Sequence, residues 1–262
     1  MERGLEDVVL GEAVGDALGV PFEFMARDSF ECTGVTGYGT HHQEPGTWSD
    51  DTSLTLAACD SIRRSGRFDA ADTLAAFRSW LNDGAYSPDG VAFDVGNTCR
   101  AAITRGVGGS GEWDNGNGSL MRIAPMALLD CTDAEVRESS AITHAHEVSC
   151  NACVEFVGLV REALADPAAT LDALRTSEGG RPREEIGSSG FVLHTLGAAR
   201  WCVGTSATYA EAVLKAVNLG EDTDTTAAVT GALAAAIWGA SAIPAEWLGA
   251  LRARDLIESC LF

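Results

Sequence analysis

Two stretches of this chain set carboxylates and a hydroxyl at the head of an apolar helical pattern. Ser49, Asp50 and Asp51 open one, in "GTWSDDTSLTLAAC"; Asp222, Asp224 and Thr225 open the other, in "NLGEDTDTTAAVTGAL". Like charges this close repel unless something neutralises them. Helix capping is the plain explanation, since Ser, Thr and Asp satisfy orphan N–H groups and the helix dipole favours acids there. Capping needs one such residue, however, and here two acids and a hydroxyl occur twice. Hard oxygen ligands in this number suit Mg²⁺ or Mn²⁺, not zinc. Asp222 and Asp224 flank Thr223, so an extended approach would point both side chains the same way. Together the clusters predict a site for two divalent cations.

Other candidates are weaker taken singly. "DNGNGSLMR" places Gly116 and Gly118 around Asn117, followed by Ser119. Glycine lets backbone N–H groups approach a ligand, and successive N–H groups make an anion nest; a flexible turn is the competing reading. Glu23 stands next to last in "GVPFEF", just beyond a helix that Pro21 closes, where a surface acid or a cap is the alternative. "THAHEVSCNAC" offers His144, His146, Cys150 and Cys153, but the spacing fits no standard zinc finger, and small buried thiols are common in cores. His41 and His42 adjoin a loop and read as solvated. Phe191 reads by default as core, and His194 is given no role.

The elements that must position these residues are helical almost throughout. "LEDVVLGEAVGDAL" places Leu5, Val8, Val9, Ala13 and Ala17 on one face; "SLTLAACDSIRRSG" and "ADTLAAFRSWLNDG" repeat the form. Further helices are predicted over 134–144, 148–165, 190–203, 208–218, 225–239 and 245–257. Loops fall at 82–90, 105–118 and 176–190, and 30–40 holds a short strand or nothing regular. No linker or solenoid repeat interrupts the 262 residues, so the expectation is one all-α domain over 1–262.

The net charge is −20, with 18 Lys and Arg against 38 Asp and Glu, and Lys215 is the only lysine. Such a surface repels phosphate backbones and argues against nonspecific nucleic-acid binding. Acids interrupt the apolar pattern at the N-terminus, which excludes a signal peptide or anchor there, and the Ala-rich run near 227–240 is too short for a membrane span. Eight scattered cysteines are too dilute for a disulfide framework, which suits a reducing cytoplasm.

With these motifs in order, the chain resembles the ADP-ribosylglycohydrolase family. The resemblance rests on "GEAVGDALGVPFEF" (11–24), "GTWSDDT" (46–52), "FDVGNTCRAA" (93–102), "NGNGSLMRIAPMAL" (115–128), "ITHAH" (142–146), "GFVLHTLGAARWC" (190–202) and "NLGEDTDTTAAVTGAL" (218–233). It implies a compact all-α fold and two divalent cations, Mg²⁺ or Mn²⁺, held by Ser49, Asp50, Asp51, Asp222, Asp224 and Thr225. Many members have Thr where Ser49 stands, and Gly where Glu221 stands. The resemblance further makes Asn117, Gly118, Ser119 and Met121 a diphosphate cradle, brings His144 to the ligand and sets Phe191 beside its nucleoside end. The resemblance puts Glu23 near the metals, to gate the site or handle a proton, and makes Asp94 the second candidate, although members differ there. The implied activity is hydrolysis of the bond between ADP-ribose and a modified acceptor, through an oxocarbenium-like state. The expected partner is ADP-ribose or an ADP-ribosylated protein, and the expected state a monomer. A non-catalytic ADP-ribose-binding protein and a two-metal nucleotide phosphohydrolase are the alternatives.

Overall fold

The computed structural model describes residues 4–262, and no strand occurs among them; only isolated bridges such as Tyr38 with Gln43 break the helical pattern. Twelve α-helices are present among the described residues: α1 (Leu5–Gly19), α2 (Asp50–Ser65), α3 (Ala70–Asp83), α4 (Asn97–Arg105), α5 (Asp133–Ala141), α6 (Glu147–Ala165), α7 (Pro167–Glu178), α8 (Val192–Gly204), α9 (Tyr209–Val217), α10 (Thr223–Trp238), α11 (Ala245–Ala250) and α12 (Arg254–Cys260). The all-α expectation holds. Three details differ from it. Helices α4 and α7 form where none was predicted, and the segment predicted as one helix over 245–257 is two. It breaks at Ala253, which takes a left-handed φ of 45°. Tertiary contacts fix that break: the Arg252 N–H donates to the Gly46 carbonyl, and its guanidinium reaches Asp89 and Thr47.

The centre of the molecule is α1 laid antiparallel along α10. Both are buried nearly all round, α1 from Val8 to Gly19 and α10 from Thr223 to Ile237. Small side chains let the two backbones touch. A Cβ at Gly15 would stand 2.1 Å from the Ala227 carbonyl oxygen, and one at Gly19 would stand 2.3 Å from the Asp224 Cα. The C-terminal end of α1 is therefore pressed against the first turn of α10. Helices α8 and α9 pack on other faces of α10, while α2, backed by α3 and α12, approaches from the α1 side.

The start of α2 is tied to α1 by a carboxylate. Asp16, fully buried, accepts hydrogen bonds from the Ser49 N–H (2.9 Å), the Thr52 N–H (3.0 Å) and the Thr52 hydroxyl (2.6 Å). Two of the orphan N–H groups around that helix start are thus satisfied from another helix. One turn earlier, the buried Glu12 takes a hydrogen bond from the Thr55 hydroxyl. The result is a line of polar contacts running from α1 into α2 and ending at the head of both α2 and α10.

Candidate active site

A cleft of about 390 Å³ opens over that junction. Its walls come from five places: Glu23 and Phe24 after α1, Asp50 at the head of α2, the run Asp94–Cys99 entering α4, the Gly116–Gly118 loop with Met121 and His144, and Asp222 and Thr225 at the head of α10. The fold thus brings together Glu23, Asp50, Asp94, Asn117, Gly118, Met121, His144, Asp222 and Thr225 on one wall or another. Ser49, Asp51 and Asp224 lie just beneath the surface, all buried.

Two helix starts meet at the floor. The Ser49 hydroxyl donates to Asp51 Oδ2 at 2.9 Å, and the Thr225 hydroxyl reaches the same oxygen at 3.4 Å. One oxygen from each of Glu23, Asp222 and Asp224 lies within 4.8 Å of the others, and so does one from each of Asp16, Asp51 and Asp224. Capping does not account for the α10 acids. Asp222 occupies the N-cap position but its side chain takes no capping bond. At α2 the Ser49 hydroxyl does accept from the Asp51 N–H, so there the hydroxyl caps and the acids do not. Thr223 begins α10, so Asp222 and Asp224 are not on an extended segment as predicted. They converge because the chain turns into the helix between them.

Four buried carboxylate oxygens have no hydrogen-bond partner among the described residues: Asp51 Oδ1, Asp222 Oδ1 and Asp224 Oδ2 at the two helix starts, and Glu12 Oε2 a turn earlier on α1. Buried anions left unpaired are costly, and the groups respond by holding protons. Burial, and then the neighbouring carboxylates, push Asp50, Asp51 and Asp224 well above the ordinary carboxylate range. Asp222 is also raised, chiefly by burial, with its bond from Asn117 opposing. Asp16 reaches only about 6, because the bonds from Thr52 and Ser49 offset its burial. Its oxygens are engaged in orienting α2, whereas the orphaned oxygens of Asp51, Asp222 and Asp224 are free. This donor set fits a hard divalent cation: all-oxygen, anionic, and short of partners.

Glu23 stands above the floor. Burial, together with the charges of Asp94 and Asp222, pushes it to about 10. The ring of His41 hydrogen-bonds the Glu23 carboxylate through Nε2, which also lies 3.8 Å from Asp94 Oδ1. Asp94 takes a left-handed φ of 53°, an uncommon conformation for a residue with a Cβ. His41, expected to be solvated, is therefore part of a Glu23–His41–Asp94 group. A histidine in a glycine-bounded loop gives no local sign of this, because its partners lie elsewhere in the chain. Asp16 was also missed. Its signal was an acid inside an otherwise apolar helix, four residues from Glu12.

The glycine loop departs from expectation. Neither Gly116 nor Gly118 has a positive φ, so no nest of alternating handedness forms. Glycine is needed at 118 for space: a Cβ there would lie 2.8 Å from both Cys99 Sγ and His144 Cε1. The Asn117 side chain donates to Asp222 Oδ2 (2.8 Å) and to the Thr195 hydroxyl (2.9 Å), which holds the acid in place. The Ser119 hydroxyl points away from the cleft, to the Ser140 hydroxyl and Cys153 Sγ. Phe191 is half-buried and not on the cleft wall; it bridges Gly116 through backbone and meets His194 edge-on at 5.2 Å.

His144 is buried, with Nδ1 3.1 Å from the Thr143 hydroxyl, and burial followed by the Arg122 charge lowers it to about 4. The four groups of the zinc reading face different partners. His146 caps α6 through Nδ1, the Cys150 thiol points at the His144 and Arg137 carbonyls, and Cys153 meets Ser119. Glu221 is exposed and off the cleft wall; it takes a left-handed φ of 64° and joins Met25 and Phe24 through its backbone.

Comparison with known proteins places the chain in a family. Residues 3–261 match the ADP-ribosylglycohydrolase family model. The chain is 36% identical to the ADP-ribosylarginine hydrolase Tri1 of Pseudomonas putida (strain GB-1), over 92% of this chain and 72% of that one. It is 33% identical to the ADP-ribosyl-[dinitrogen reductase] glycohydrolase of Rhodospirillum rubrum, over 92% and 88%. A solved structure described as an ADP-ribosylglycohydrolase-related protein complex aligns with a TM-score of 0.81 at 33% identity, over 97% of this chain and 93% of that one. No described helix is long and apolar enough to cross a membrane. With two helix starts full of unpartnered carboxylates under a single cleft, and the family match running from end to end, the chain belongs to the ADP-ribosylglycohydrolase family and is a glycohydrolase enzyme.

Proposed function

We propose that this chain removes ADP-ribose from arginine side chains of modified proteins, with two divalent cations, Mg²⁺ or Mn²⁺, at the helix junction. The observation that carries the reading is a pair of carboxylate groups beneath the cleft, Asp16–Asp51–Asp224 and Glu23–Asp222–Asp224, that share Asp224, with one oxygen each of Asp51, Asp222 and Asp224 left without a hydrogen-bond partner. The arginine linkage is supported by two relatives, 36% and 32% identical, that are named ADP-ribosylarginine hydrolases. Ser49, Asp50, Asp51, Asp222, Asp224 and Thr225 would hold the cations, and Asp16 and Asn117 would hold those residues in place. When bound, the cations supply charge compensation and a more acidic water.

The remaining roles fall to side chains. Hydrolysis breaks the bond from the anomeric carbon to the guanidine nitrogen, adds water oxygen to that carbon, and returns a proton to the nitrogen. Glu23 holds a proton near neutrality and overlooks the floor, so it is placed to deliver one to the departing nitrogen. His41 fixes the orientation of that carboxyl, and Asp94 raises its proton affinity. Glu23 lies beside Asp222 and Asp224, so it would hold its proton less tightly once those acids engage cations, which suits a group that must give up and recover a proton. Met121 and His144 line the same cleft, and neutral His144 offers a hydrogen-bonding ring without charge. The same reading has the whole chain, 1–262, acting as one monomeric domain in the cytoplasm.

The test is an arginine-ADP-ribosylated protein incubated with the enzyme and Mg²⁺, followed by mass spectrometry of the products. Free ADP-ribose and unmodified arginine are expected. Release of phosphate or AMP would replace the reading with a phosphohydrolase. Tight ADP-ribose binding without turnover would leave a binding protein.

A further inference from the structure

Of the seven large apolar side chains left in solvent among the described residues, the five most exposed lie on three loops, and only Leu193 and Phe262 lie elsewhere. Phe24, Tyr38, Val91, Val107 and Trp113 are between 58% and 85% exposed, and all five stand on the three loops that build the cleft mouth. Phe24 lines the cleft itself. Tyr38 sits two residues before Thr40, whose hydroxyl donates to the Glu23 carbonyl. Val91 precedes Phe93 and Asp94, and the Phe93 ring is 5.5 Å from that of His41. Val107 and Trp113 flank the segment whose Gly109 bridges to His144, and Asp114 beside Trp113 accepts from Thr98 on the cleft wall. Clustered exposed apolar groups mark an interaction surface, where isolated ones would need no explanation.

The same loops are strongly acidic. Residues 23–46, 83–96 and 106–118 together carry nine carboxylates against a single arginine, a formal net charge of −8 within the total of −20; with Glu23 protonated, and exposed Arg105 beside Val107 and Asp114 counted, the excess is still −6. That arginine, Arg27, is not free to offset them outward, since its guanidinium donates to the Leu219, Arg183 and Ile186 carbonyls. Ion pairs from outside engage two of the acids, Asp28 with Arg183 and Asp89 with Arg252. Glu31, Glu44 and Glu112 are exposed. Such a rim repels nucleic acid and equally a second copy of this chain, whose rim bears the same charge.

We propose that this rim is a docking surface for the polypeptide that carries the modification, and that it selects modified sites lying in basic, arginine-rich or lysine-rich stretches. The inference rests on the reading that the substrate is protein-linked. Trp113 is the anchor, 85% exposed and of the residue type that most often dominates interface energetics. The carboxylates around it give the attraction that steers a basic segment to the cleft.

The experiment compares two substrates on the metal-loaded enzyme: an arginine-ADP-ribosylated basic polypeptide, and ADP-ribosyl-arginine alone. For Trp113→Ala, KM for the polypeptide is expected to rise about tenfold with kcat unchanged, while the small conjugate is cleaved as by wild type. Glu112→Lys and a rise from about 0.05 M to about 0.3 M salt should likewise lower kcat/KM for the polypeptide alone. Equal effects on both substrates, or no effect on the polypeptide, would overturn the proposal. If wild type cleaves neither substrate, the hydrolase reading fails instead, and the rim is judged by fluorescence anisotropy of a labelled, unmodified arginine-rich peptide. Binding that Trp113→Ala weakens upholds the rim; binding no tighter than that of a glutamate-rich peptide of equal length overturns it.

Discussion

Replacing Asp224 by Asn separates a cation ligand from a helix-starting residue. Asp224 is fully buried in the first turn of α10; Oδ1 accepts from the Thr225 N–H at 3.0 Å, and Oδ2 has no partner. Asn keeps the acceptor and replaces the orphaned oxygen with an amide donor, facing the carboxylates of Glu23 and Asp222. Two full charges within 4.8 Å repel by at least about 3.5 kcal/mol at an effective dielectric near 20. Protonation already relieves most of this in the cation-free protein. Cation-free Asp224→Asn should therefore melt no lower than wild type, and the fold should be intact.

The response to Mg²⁺ should differ. A cation that binds only the folded state, present at about 100 times its Kd, stabilises by about 2.7 kcal/mol. For a chain of this size that is a rise in Tm of roughly 5–10 °C. Loss of one anionic ligand should remove more than half of that rise and most ADP-ribose release. The assay is paired melting curves in chelator and in millimolar Mg²⁺, with calorimetry for affinity. A variant that folds and keeps the full wild-type rise would refute the ligand assignment. A wild type that melts identically in chelator and Mg²⁺ would refute the cation site altogether.

Two other expectations concern the scaffold and the His144 wall. Gly15→Ala puts a methyl group 2.1 Å from the Ala227 carbonyl oxygen, so α1 and α10 must part by about an ångström, at a cost of about 1–3 kcal/mol in urea denaturation and with a weaker Mg²⁺ response. Gly158→Ala in α6 meets nothing within 4 Å and should stabilise by about 0.4–1 kcal/mol; equal effects at the two sites would undo the account of the helix contact. His144 is lowered to about 4, so on acidification the unfolded chain takes a proton first, and stability is lost as pH falls from about 6.5 through about 4. Between about pH 7.5 and about pH 4.5 wild type should lose roughly 2–3 kcal/mol relative to His144→Gln, with the raised carboxylates cancelling in the comparison; parallel pH profiles would contradict the burial argument.

What the sequence revealed follows a physical division between local and remote causes. The Ser49–Asp51 and Asp222–Thr225 clusters were legible because each is a short run whose composition exceeds what one helix start requires. That they share one floor was not legible, since it depends on α1 and α10 touching along Gly15 and Gly19. Glycines four apart in a helix ordinarily read as weak helix formers. Here they let the backbones meet and so place Asp16, Asp51 and Asp224 within reach of one another. Helix α7 went unrecognised although Pro167 occupies a favourable first-turn position and Asp166 caps it through the Ala169 N–H. Its polar, Ala-rich sequence has only Thr170 and Leu174 buried before Glu178, too thin a stripe for periodicity to register.

The same division explains why the residues around the acids were read less well than the acids themselves. A carboxylate pair declares its need for a partner by charge, whichever fold surrounds it. Asn117, Ser119 and His41 carry no such demand, and their roles depend on what the fold brings near. Asn117 faces Asp222 because α8 and the glycine loop meet at Phe191 and Gly116, which also supplies Thr195 as its second acceptor. Ser119, two residues on, is turned by the same loop toward Ser140 and away from the cleft. His41 reaches Glu23 because Gly39 lets its segment lie against the Pro21 carbonyl, where a Cβ would stand at 1.9 Å. Side chains that need no counter-charge thus acquire their function from packing, and packing is set by glycines whose importance lies in the atoms they leave out.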